Sequence, residues 1–273
     1  MSKLRLVMSG GSAKGVVEAA GALNAIFERG NVVEIGAGTS AGGIVLGALA
    51  SGKSPKDIRS MAIETDFSKF VSTGFFSLMR AAFKGCLSDG KDLMKFFMKV
   101  TGGKLMGDAG FDVRIVGSDY AKGRAEVFSR DTHPQMPIAL AMRITSAMPL
   151  AFSAVEYNGS WYKDGGVYAH VPVEASREPL RTVIFAQADP PEAKPRGWSA
   201  DAGIIQEVGR TLDLLVDANV DEEMQKAPPD AVKIYSDALG FSTFKFEFTK
   251  DEKERLYQHG YDLMNRALEA TGL

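Results

Sequence analysis

Short apolar segments alternate with longer helical patterns through the first fifty residues. Residues 4–8 form an apolar run that favours a buried strand, and a helical pattern follows to about Arg29, where Gly30 supplies a stop signal. Residues 32–37 predict a second short strand, and a helix rich in small residues ends near Gly52. This repetition is typical of an α/β fold with a mostly parallel central sheet.

The remaining chain continues the alternation. Ser54 and Pro55 begin a helix, with the serine as N-cap and the proline at the first helical position. The further predicted strands are 111–118, 124–128, 181–186 and 232–235, and the further predicted helices are 137–147, 199–226 and 251–271. With no repeat and no linker, we expect one domain over residues 1–273, with a helical C-terminal part from about 199.

Charge and cysteine content narrow the function classes. The net charge of -2 and the pI near 6.0 argue against nucleic-acid binding, which needs a basic surface, but are compatible with peripheral membrane contact. Cys86 is the only cysteine, so no intramolecular disulfide can form, and its apolar neighbours favour a core position. The sequence shows neither a signal peptide nor an apolar run of roughly 18 residues. We therefore expect a cytoplasmic protein, or one exported without a cleavable signal.

Residues 38–42, Gly-Thr-Ser-Ala-Gly, match the pattern G-x-S-x-G between a predicted strand and a predicted helix. In this pattern the serine lies on a sharp turn, and Gly38 and Gly42 leave room for the turn and for a substrate. The N–H groups that begin the next helix favour developing negative charge. Ser40 is therefore a candidate nucleophile. The alternative is a tight turn in which Ser40 only caps the helix.

Two further segments combine glycine with polar residues. Residues 10–15, Gly-Gly-Ser-Ala-Lys-Gly, follow the first strand and can bring backbone N–H groups together on an anion such as a tetrahedral oxyanion. They fit neither nucleotide-binding glycine pattern, and an ordinary turn is the alternative. Asp164, followed by Gly165 and Gly166, stands at a predicted strand end, where it can reach a nucleophile on another loop or simply form a turn.

The three segments, in this order, resemble the patatin-like phospholipases. Residues 143–152 are similar to that family's Ala-Ser-x-Ala-x-Pro-x-x-Phe stretch, and the resemblance covers about residues 4–186. It implies a three-layer α/β/α fold with a helical insertion over the active site, and a lipid acyl hydrolase that needs no cofactor or metal. It implies a dyad in which Ser40 attacks and Asp164 accepts the proton. The implied oxyanion hole consists of the N–H groups of Gly10, Gly11, Ser12 and Ala41, with Lys14 and Gly15 as supporting loop residues.

The sequence departs from the family at two positions. Ser12 stands where the family usually has a third glycine, and His170 where it commonly has asparagine. Only His170 and His259 follow Asp164 in the order that a triad requires. We expect His259 to be solvated on a charged helix. His170 either tunes Asp164 or replaces a structural hydrogen bond, and we expect the second.

The implied substrate is a phospholipid or lysophospholipid, and two other readings stay open. One is a triad esterase or thioesterase acting on soluble esters, and the other is a non-catalytic lipid-binding protein. Residues 66–110, rich in phenylalanine and methionine, either pack the core or form an apolar cap near a lipid site. The cap reading predicts that removing Phe75 and Phe76 lowers activity on vesicles more than on a soluble ester. The oligomeric state stays open.

Overall fold

The computed structural model describes residues 2–71, 85–188, 204–243 and 245–273, which contain ten strands and seven α-helices. The strands are β1 (Lys3–Met8), β2 (Val32–Thr39), β3 (Cys86–Ser88), β4 (Asp112–Asp119), β5 (Arg124–Phe128), β6 (Leu150–Phe152), β7 (Val155–Tyr157), β8 (Ser160–Asp164), β9 (Arg181–Ala186) and β10 (Val232–Tyr235). The helices are α1 (Ser12–Glu28), α2 (Ala41–Ala50), α3 (Pro55–Glu64), α4 (Lys91–Thr101), α5 (Ile138–Thr145), α6 (Ile204–Gln225) and α7 (Lys250–Thr271).

Eight strands form the central sheet, in the order β10-β9-β1-β2-β4-β8-β7, with β5 also paired to β4. The five strands from β10 to β4 are parallel, whereas β5, β7 and β8 run antiparallel to their neighbours. The prediction of a mostly parallel sheet is therefore confirmed. The short strands β3 and β6 form a separate two-stranded sheet that the sequence pattern did not predict.

Helices cover both faces of the sheet, and β1 is therefore buried on both sides. Leu4 and Leu6 belong to a core cluster shared with α1, α2 and α7. Val7 points to the opposite face, where its cluster includes Val220 and Met224 of α6. This continuous apolar strand is what a parallel strand buried on both faces requires. The three-layer α/β/α arrangement agrees with the prediction.

The ends of β2 and β8 meet on one edge of β4. β2 pairs with β4 as far as Thr39 opposite Val116, and β8 begins its antiparallel pairing with Asp164 opposite Gly117. β5 occupies the other edge over the same stretch of β4. Because Val116 and Gly117 are consecutive, the residue after β2 and the last residue of β8 lie side by side. This register brings Ser40 and Asp164 together.

The aromatic segment predicted over the sheet is partly described. Phe67 and Phe97 are buried in the core cluster, and Phe70 and Phe96 pack against it. Phe75 and Phe76, on which the cap prediction depends, lie outside the described residues. Cys86 is buried, as its neighbours predicted. Across the described ranges, no helix has both the length and the apolarity needed to cross a bilayer.

Candidate active site

Ser40 occupies a strained turn between β2 and α2. Its backbone has φ 49° and ψ -116°, a combination that a residue with a side chain rarely adopts and that typically costs about 1–3 kcal/mol. The flanking glycines are required by close packing. A Cβ on Gly38 would lie 2.7 Å from the backbone of Gly42 and Gly43, and a Cβ on Gly42 would lie 2.4 Å from the carbonyl oxygen of Met8. The G-x-S-x-G pattern therefore forms the sharp turn that it predicted.

Thr145, at the end of α5, holds this turn in place. The backbone N–H of Ser40 donates to Oγ1 of Thr145 at 2.8 Å, and the same hydroxyl donates to the carbonyl oxygen of Val116 at 2.5 Å. A single buried hydroxyl thus connects the turn to β4, beside the point where β2 and β8 meet. Thr145 lies within the segment that resembles the family, but the sequence alone did not mark it as part of the site.

Asp164 is the hydrogen-bond partner of Ser40. Oγ of Ser40 donates to Oδ2 of Asp164 at 2.8 Å, and the N–H of Gly166 donates to Oδ1 at 2.8 Å. Asp164 is only 5% exposed, and this burial raises the pKa of its carboxyl to about 7, although the hydrogen bonds from Gly166 and Ser40 oppose the shift. Gly165 must lack a side chain, since a Cβ there would lie 2.3 Å from the carbonyl oxygen of Val116.

The glycine loop lies beside this pair, with one correction to the predicted oxyanion hole. The N–H of Gly10 donates to the carbonyl oxygen of His170 at 3.1 Å, so it serves the fold and is not a donor for an oxyanion. The N–H groups of Gly11, Ser12 and Ala41 have no acceptor among the described residues. Ser9 fixes the loop, since its carbonyl oxygen accepts from the N–H of Gly42 at 3.0 Å.

The first turn of α1 contains two predicted site residues, Ser12 and Lys14. Ser12 has φ 58°, in the left-handed region that glycine favours, at the position where the family usually has glycine. The Lys14 side chain is buried, and its ammonium donates to the carbonyl oxygen of Phe241. This contact ties the glycine loop to the segment that follows β10, which favours a positioning role for Lys14.

The histidines do not form a triad in this structure. His170 is buried against the glycine loop, and its backbone makes two structural hydrogen bonds, donating from its N–H to Oδ1 of Asn219 at 2.8 Å and accepting at its carbonyl oxygen from the N–H of Gly10 at 3.1 Å. That the ring itself replaces a structural hydrogen bond stays a prediction. Burial lowers the pKa of His170 to about 4, which keeps the imidazole neutral. The expectation of a solvated His259 is wrong, because its Nδ1 lies 2.6 Å from Oε1 of the buried Glu18.

Two cavities meet at Ser40. The apolar cavity, of about 50 Å³, is lined mainly by side chains from α1, α2, α4 and the aromatic segment, including Val16, Ile44, Phe67, Phe70 and Phe97. The larger cavity, of about 340 Å³, contains Asp164 and has a mixed lining, with Lys14 and His170 among its polar side chains and Met148 and Val167 among the apolar ones that predominate. The described aromatics pack the core, as one of the two readings predicted, and Phe67, Phe70 and Phe97 also line the cavity beside Ser40. An apolar cap near a lipid site stays a prediction.

The arrangement places the hydroxyl of Ser40, hydrogen-bonded to Asp164, between a small apolar cavity and a larger cavity of mixed lining. A serine on a strand-to-helix turn, with an acceptor for its proton and free N–H groups beside it, is the geometry that α/β hydrolases use for acyl transfer. It can therefore support attack on an ester carbonyl.

The family follows from the sequence comparison. The profile of the family described as Patatin-like phospholipase matches residues 6–176, more than half of the chain. The chain therefore belongs to the patatin-like phospholipase family. A probable lipid hydrolase, 463L of Invertebrate iridescent virus 6, is 24% identical over 179 residues, which cover 62% of this chain and 61% of the viral protein. The uncharacterized protein YqhO of Bacillus subtilis (strain 168) is 28% identical over 208 residues, which cover 68% of this chain and 71% of YqhO.

Solved structures share the fold at low sequence identity. VipD from Legionella pneumophila is similar with a TM-score of 0.62 and 16% identity, covering 98% of this chain and 67% of VipD. ExoU from the type III secretion system of Pseudomonas aeruginosa, solved in complex with SpcU, gives a TM-score of 0.51 and 18% identity, covering 99% of this chain and 52% of that chain. The chain thus spans about half of ExoU and 61% of the viral relative.

Proposed function

We propose that the chain is a serine lipid acyl hydrolase that cleaves fatty acyl esters of phospholipids or lysophospholipids through Ser40 and Asp164. The observation that carries the proposal is the 2.8 Å hydrogen bond from Oγ of Ser40 to Oδ2 of Asp164. Membership of the patatin-like phospholipase family supports a lipid ester as substrate. Apolar side chains line the cavity beside Ser40, which supports contact with the acyl part of the substrate, but its volume of about 50 Å³ has room for only the first carbons of an acyl chain.

Acyl transfer to the serine follows from the contacts of these two side chains. Oγ of Ser40 attacks the acyl carbonyl carbon while its proton passes to Oδ2 of Asp164. The carbonyl oxygen becomes an oxyanion, which the N–H groups of Gly11, Ser12 and Ala41 stabilise together with the start of α2. When the intermediate collapses, the bond to the alcohol oxygen breaks and that oxygen takes the proton from Asp164.

Hydrolysis of the acyl-enzyme reverses these roles. A water molecule attacks the ester carbonyl and gives its proton to Asp164, and Ser40 recovers a proton from Asp164 as the fatty acid leaves. A carboxyl whose pKa is about 7 can both accept and return a proton near neutral pH, which an ordinary aspartate does poorly. Burial of Asp164 therefore serves the chemistry directly.

The proposal extends to the place of action. We propose that the protein acts in peripheral contact with lipid, in the cytoplasm or after export, because its substrate resides in membranes. The triad alternative gains no support from the described contacts, since Ser40 bonds Asp164 and the His170 ring bonds neither residue.

Covalent labelling by a fluorophosphonate tests the proposal, because only an activated serine reacts. We expect the wild type to be labelled at Ser40, and Ser40→Ala and Asp164→Asn to lose labelling. Ser54→Ala, which removes an exposed hydroxyl at the start of α3, is the matched control and should label like the wild type. Labelling elsewhere, or undiminished labelling of Asp164→Asn, would argue against the dyad.

A further inference from the structure

Exposed apolar side chains are concentrated around the larger cavity at Ser40. Among the described residues, eight large hydrophobic side chains are at least 40% exposed, and five of them belong to three segments that meet at this cavity. We call these five residues the apolar rim: Tyr120, Leu150, Trp161, Val167 and Tyr168. Single exposed hydrophobic residues are ordinary on a protein surface, whereas a cluster of them marks an interaction site.

The apolar rim is continuous with the cavity that holds the reacting atoms. Tyr120 and Val167 line the larger cavity together with Asp164, although they are 50% and 44% exposed. Residues 148–149 line the same cavity, and Leu150 follows them directly. Because half-exposed residues form part of its wall, the cavity opens to solvent beside them. An ester that reaches Asp164 from this side therefore passes the rim.

The three aromatic residues of the rim adjoin one another. The N–H of Tyr120 donates to the carbonyl oxygen of Trp161 at 2.9 Å, so these two residues are cross-strand neighbours. The hydroxyl of Tyr168 lies beside the turn that follows Tyr120, because a Cβ on Gly123 would lie 3.4 Å from it. Two hydroxyls and an indole N–H thus accompany the apolar surface of the rings.

Leu150 is both exposed and strained. Its φ is 69°, in the left-handed region that a bulky residue rarely adopts, and it is 45% exposed. The N–H of Asp164 donates to the carbonyl oxygen of Ala147 at 3.2 Å. Nζ of Lys163 donates to the carbonyl oxygen of Phe152 at 2.7 Å, so the segment that carries Leu150 is fixed on the end of β8. Strain of this kind is found mostly where a conformation serves function, and here it holds an apolar side chain in solvent.

Position and side-chain chemistry favour a lipid surface as the partner of the rim. Tryptophan and tyrosine join an apolar ring to a polar group, which suits the boundary between lipid tails and headgroups. A protein seated on the rim would cover the larger cavity and block the entry of substrate, whereas a membrane supplies substrate from that side.

The charged residues beside the rim are paired. In the turn between β4 and β5, Lys122 lies 3.1 Å from Asp119. Arg124, at the start of β5, lies 3.3 Å from Glu126. These pairs offer little net charge to anionic headgroups, so contact with lipid should depend on burial of apolar side chains.

We propose that the apolar rim is the surface through which the protein docks on a lipid bilayer, with the larger cavity facing the lipid. The proposal rests on the proposed acyl hydrolase function and assigns its membrane contact to named side chains. Trp161 and Leu150 line neither cavity at Ser40, so they serve docking and not the chemistry. This division between docking and chemistry can be measured.

The fluorescence of Trp161 reports whether the rim enters lipid. The sequence has one other tryptophan, so Trp198→Phe leaves Trp161 as the only one, and Ser40→Ala in the same protein prevents hydrolysis. With phosphatidylcholine vesicles, the emission should shift to shorter wavelength, and phosphatidylcholine brominated on its acyl chains should quench it. Both signals should persist when salt is added.

Three outcomes of this measurement would overturn the proposal. Emission that vesicles leave unchanged would show that the rim does not enter lipid. A shift that salt abolishes would assign the contact to charged groups. A shift that appears on concentrating the protein without vesicles would assign the rim to a second copy of the chain.

Substitutions at exposed positions separate docking from chemistry. Trp161→Ser and Leu150→Ser should each lower vesicle binding in a sedimentation assay, and fatty acid release from the vesicles, by roughly 10-fold. Hydrolysis of the soluble ester p-nitrophenyl butyrate should stay at the wild-type rate. Val32→Ser is the matched control, because Val32 is 41% exposed at the end of β2 remote from Ser40, and it should behave like the wild type in all three assays. Equal losses on vesicles and on the soluble ester would assign Trp161 and Leu150 to the fold and overturn their docking role.

The docking surface and the hydrolase proposal fail separately. If the wild type releases no fatty acid but Ser40→Ala still binds vesicles through Trp161, the hydrolase proposal fails and the docking surface stands. If Trp161→Ser and Leu150→Ser bind and hydrolyse vesicles like the wild type, the docking surface fails and the hydrolase proposal stands.

Discussion

Oγ1 of Thr145 accepts a hydrogen bond from the backbone N–H of Ser40 at 2.8 Å, although 105 residues separate them. Because the same hydroxyl donates to Val116, it fixes the strained serine turn against β4. Thr145→Val keeps the shape of the side chain but leaves two buried polar groups unpaired. We expect it to lower the free energy of unfolding by about 1–3 kcal/mol and kcat/KM by roughly 10-fold or more. Urea unfolding and ester hydrolysis measure these effects.

Thr145→Ser is the matched control for that variant. It keeps the hydroxyl and loses only a methyl group, so it should retain most of the activity and stability. Equal losses in Thr145→Ser and Thr145→Val would assign the effect to packing and would contradict the hydrogen-bonding role.

Ser12 provides a test of backbone strain in the glycine loop. Its φ of 58° is costly for a residue with a Cβ, so Ser12→Gly should raise the free energy of unfolding by about 1 kcal/mol. Ser12→Ala keeps the Cβ and should show no such gain. Urea unfolding of both variants measures the difference, and a Ser12→Gly variant no more stable than Ser12→Ala would show that the loop is not strained at this residue.

Asp164 should set the acid limb of the pH profile. Its pKa of about 7 means that the carboxylate needed to accept the serine proton is lost as pH falls below about 7, with roughly a tenfold loss of kcat/KM per pH unit. The ammonium of Lys163 lowers this pKa, so Lys163→Gln should move the limb to higher pH. The rate of fluorophosphonate inactivation should follow the same profile. A profile that stays flat well below neutral pH would rule out a raised pKa for the base.

The same burial should cost stability at neutral and alkaline pH. Burial raises the pKa of Asp164 to about 7 and that of Glu223 to about 8, so the folded state holds both protons more tightly than the unfolded chain. The stabilisation from these two carboxyls is greatest below their pKa values in the unfolded chain, which are near 4. It is lost as the pH rises toward their pKa values in the folded state. Asp164→Asn and Glu223→Gln should therefore each stabilise the fold by about 1–3 kcal/mol near pH 8 relative to wild type.

Thermal unfolding of the two variants and the wild type, each at about pH 4 and pH 8, tests this linkage. The gain should be present at the higher pH and small at the lower one. Glu223→Gln is the informative comparison because its amide oxygen can still accept from the N–H of Val171, and because Glu223 has no part in the proposed chemistry. A gain of equal size at both values would mean that ionisation is not its cause.

Much of the fold could be predicted because its pattern is local. The runs at 181–186 and 232–235 are strands with the predicted bounds, and α7 begins one residue from the predicted start. The strands β3, β6 and β7 were missed because each has three residues, too few for a hydrophobic period to be recognised. Their existence depends on partners distant in the chain.

The candidate site could be predicted only as far as its motifs extended. Ser40 and Asp164 were identified from short patterns, and the structure brings them within hydrogen-bond distance. The loss of Gly10 as an oxyanion donor could not be foreseen, because it depends on where the carbonyl oxygen of His170 lies in the fold. Gln187 carries no local signal at all, since the packing of its amide against Gly11 and Gly15 depends on where β9 ends in the fold.

Release of free fatty acid from phospholipid vesicles, with no added metal, tests the central claim most directly. The wild type, Ser40→Ala and Asp164→Asn are compared at equal protein concentration, with Ser54→Ala as the control. We predict release by the wild type and by Ser54→Ala, and rates near background for the two site variants. Wild-type rates from Asp164→Asn would contradict the Ser40–Asp164 dyad, and an inactive wild type that still labels at Ser40 would contradict the phospholipid substrate.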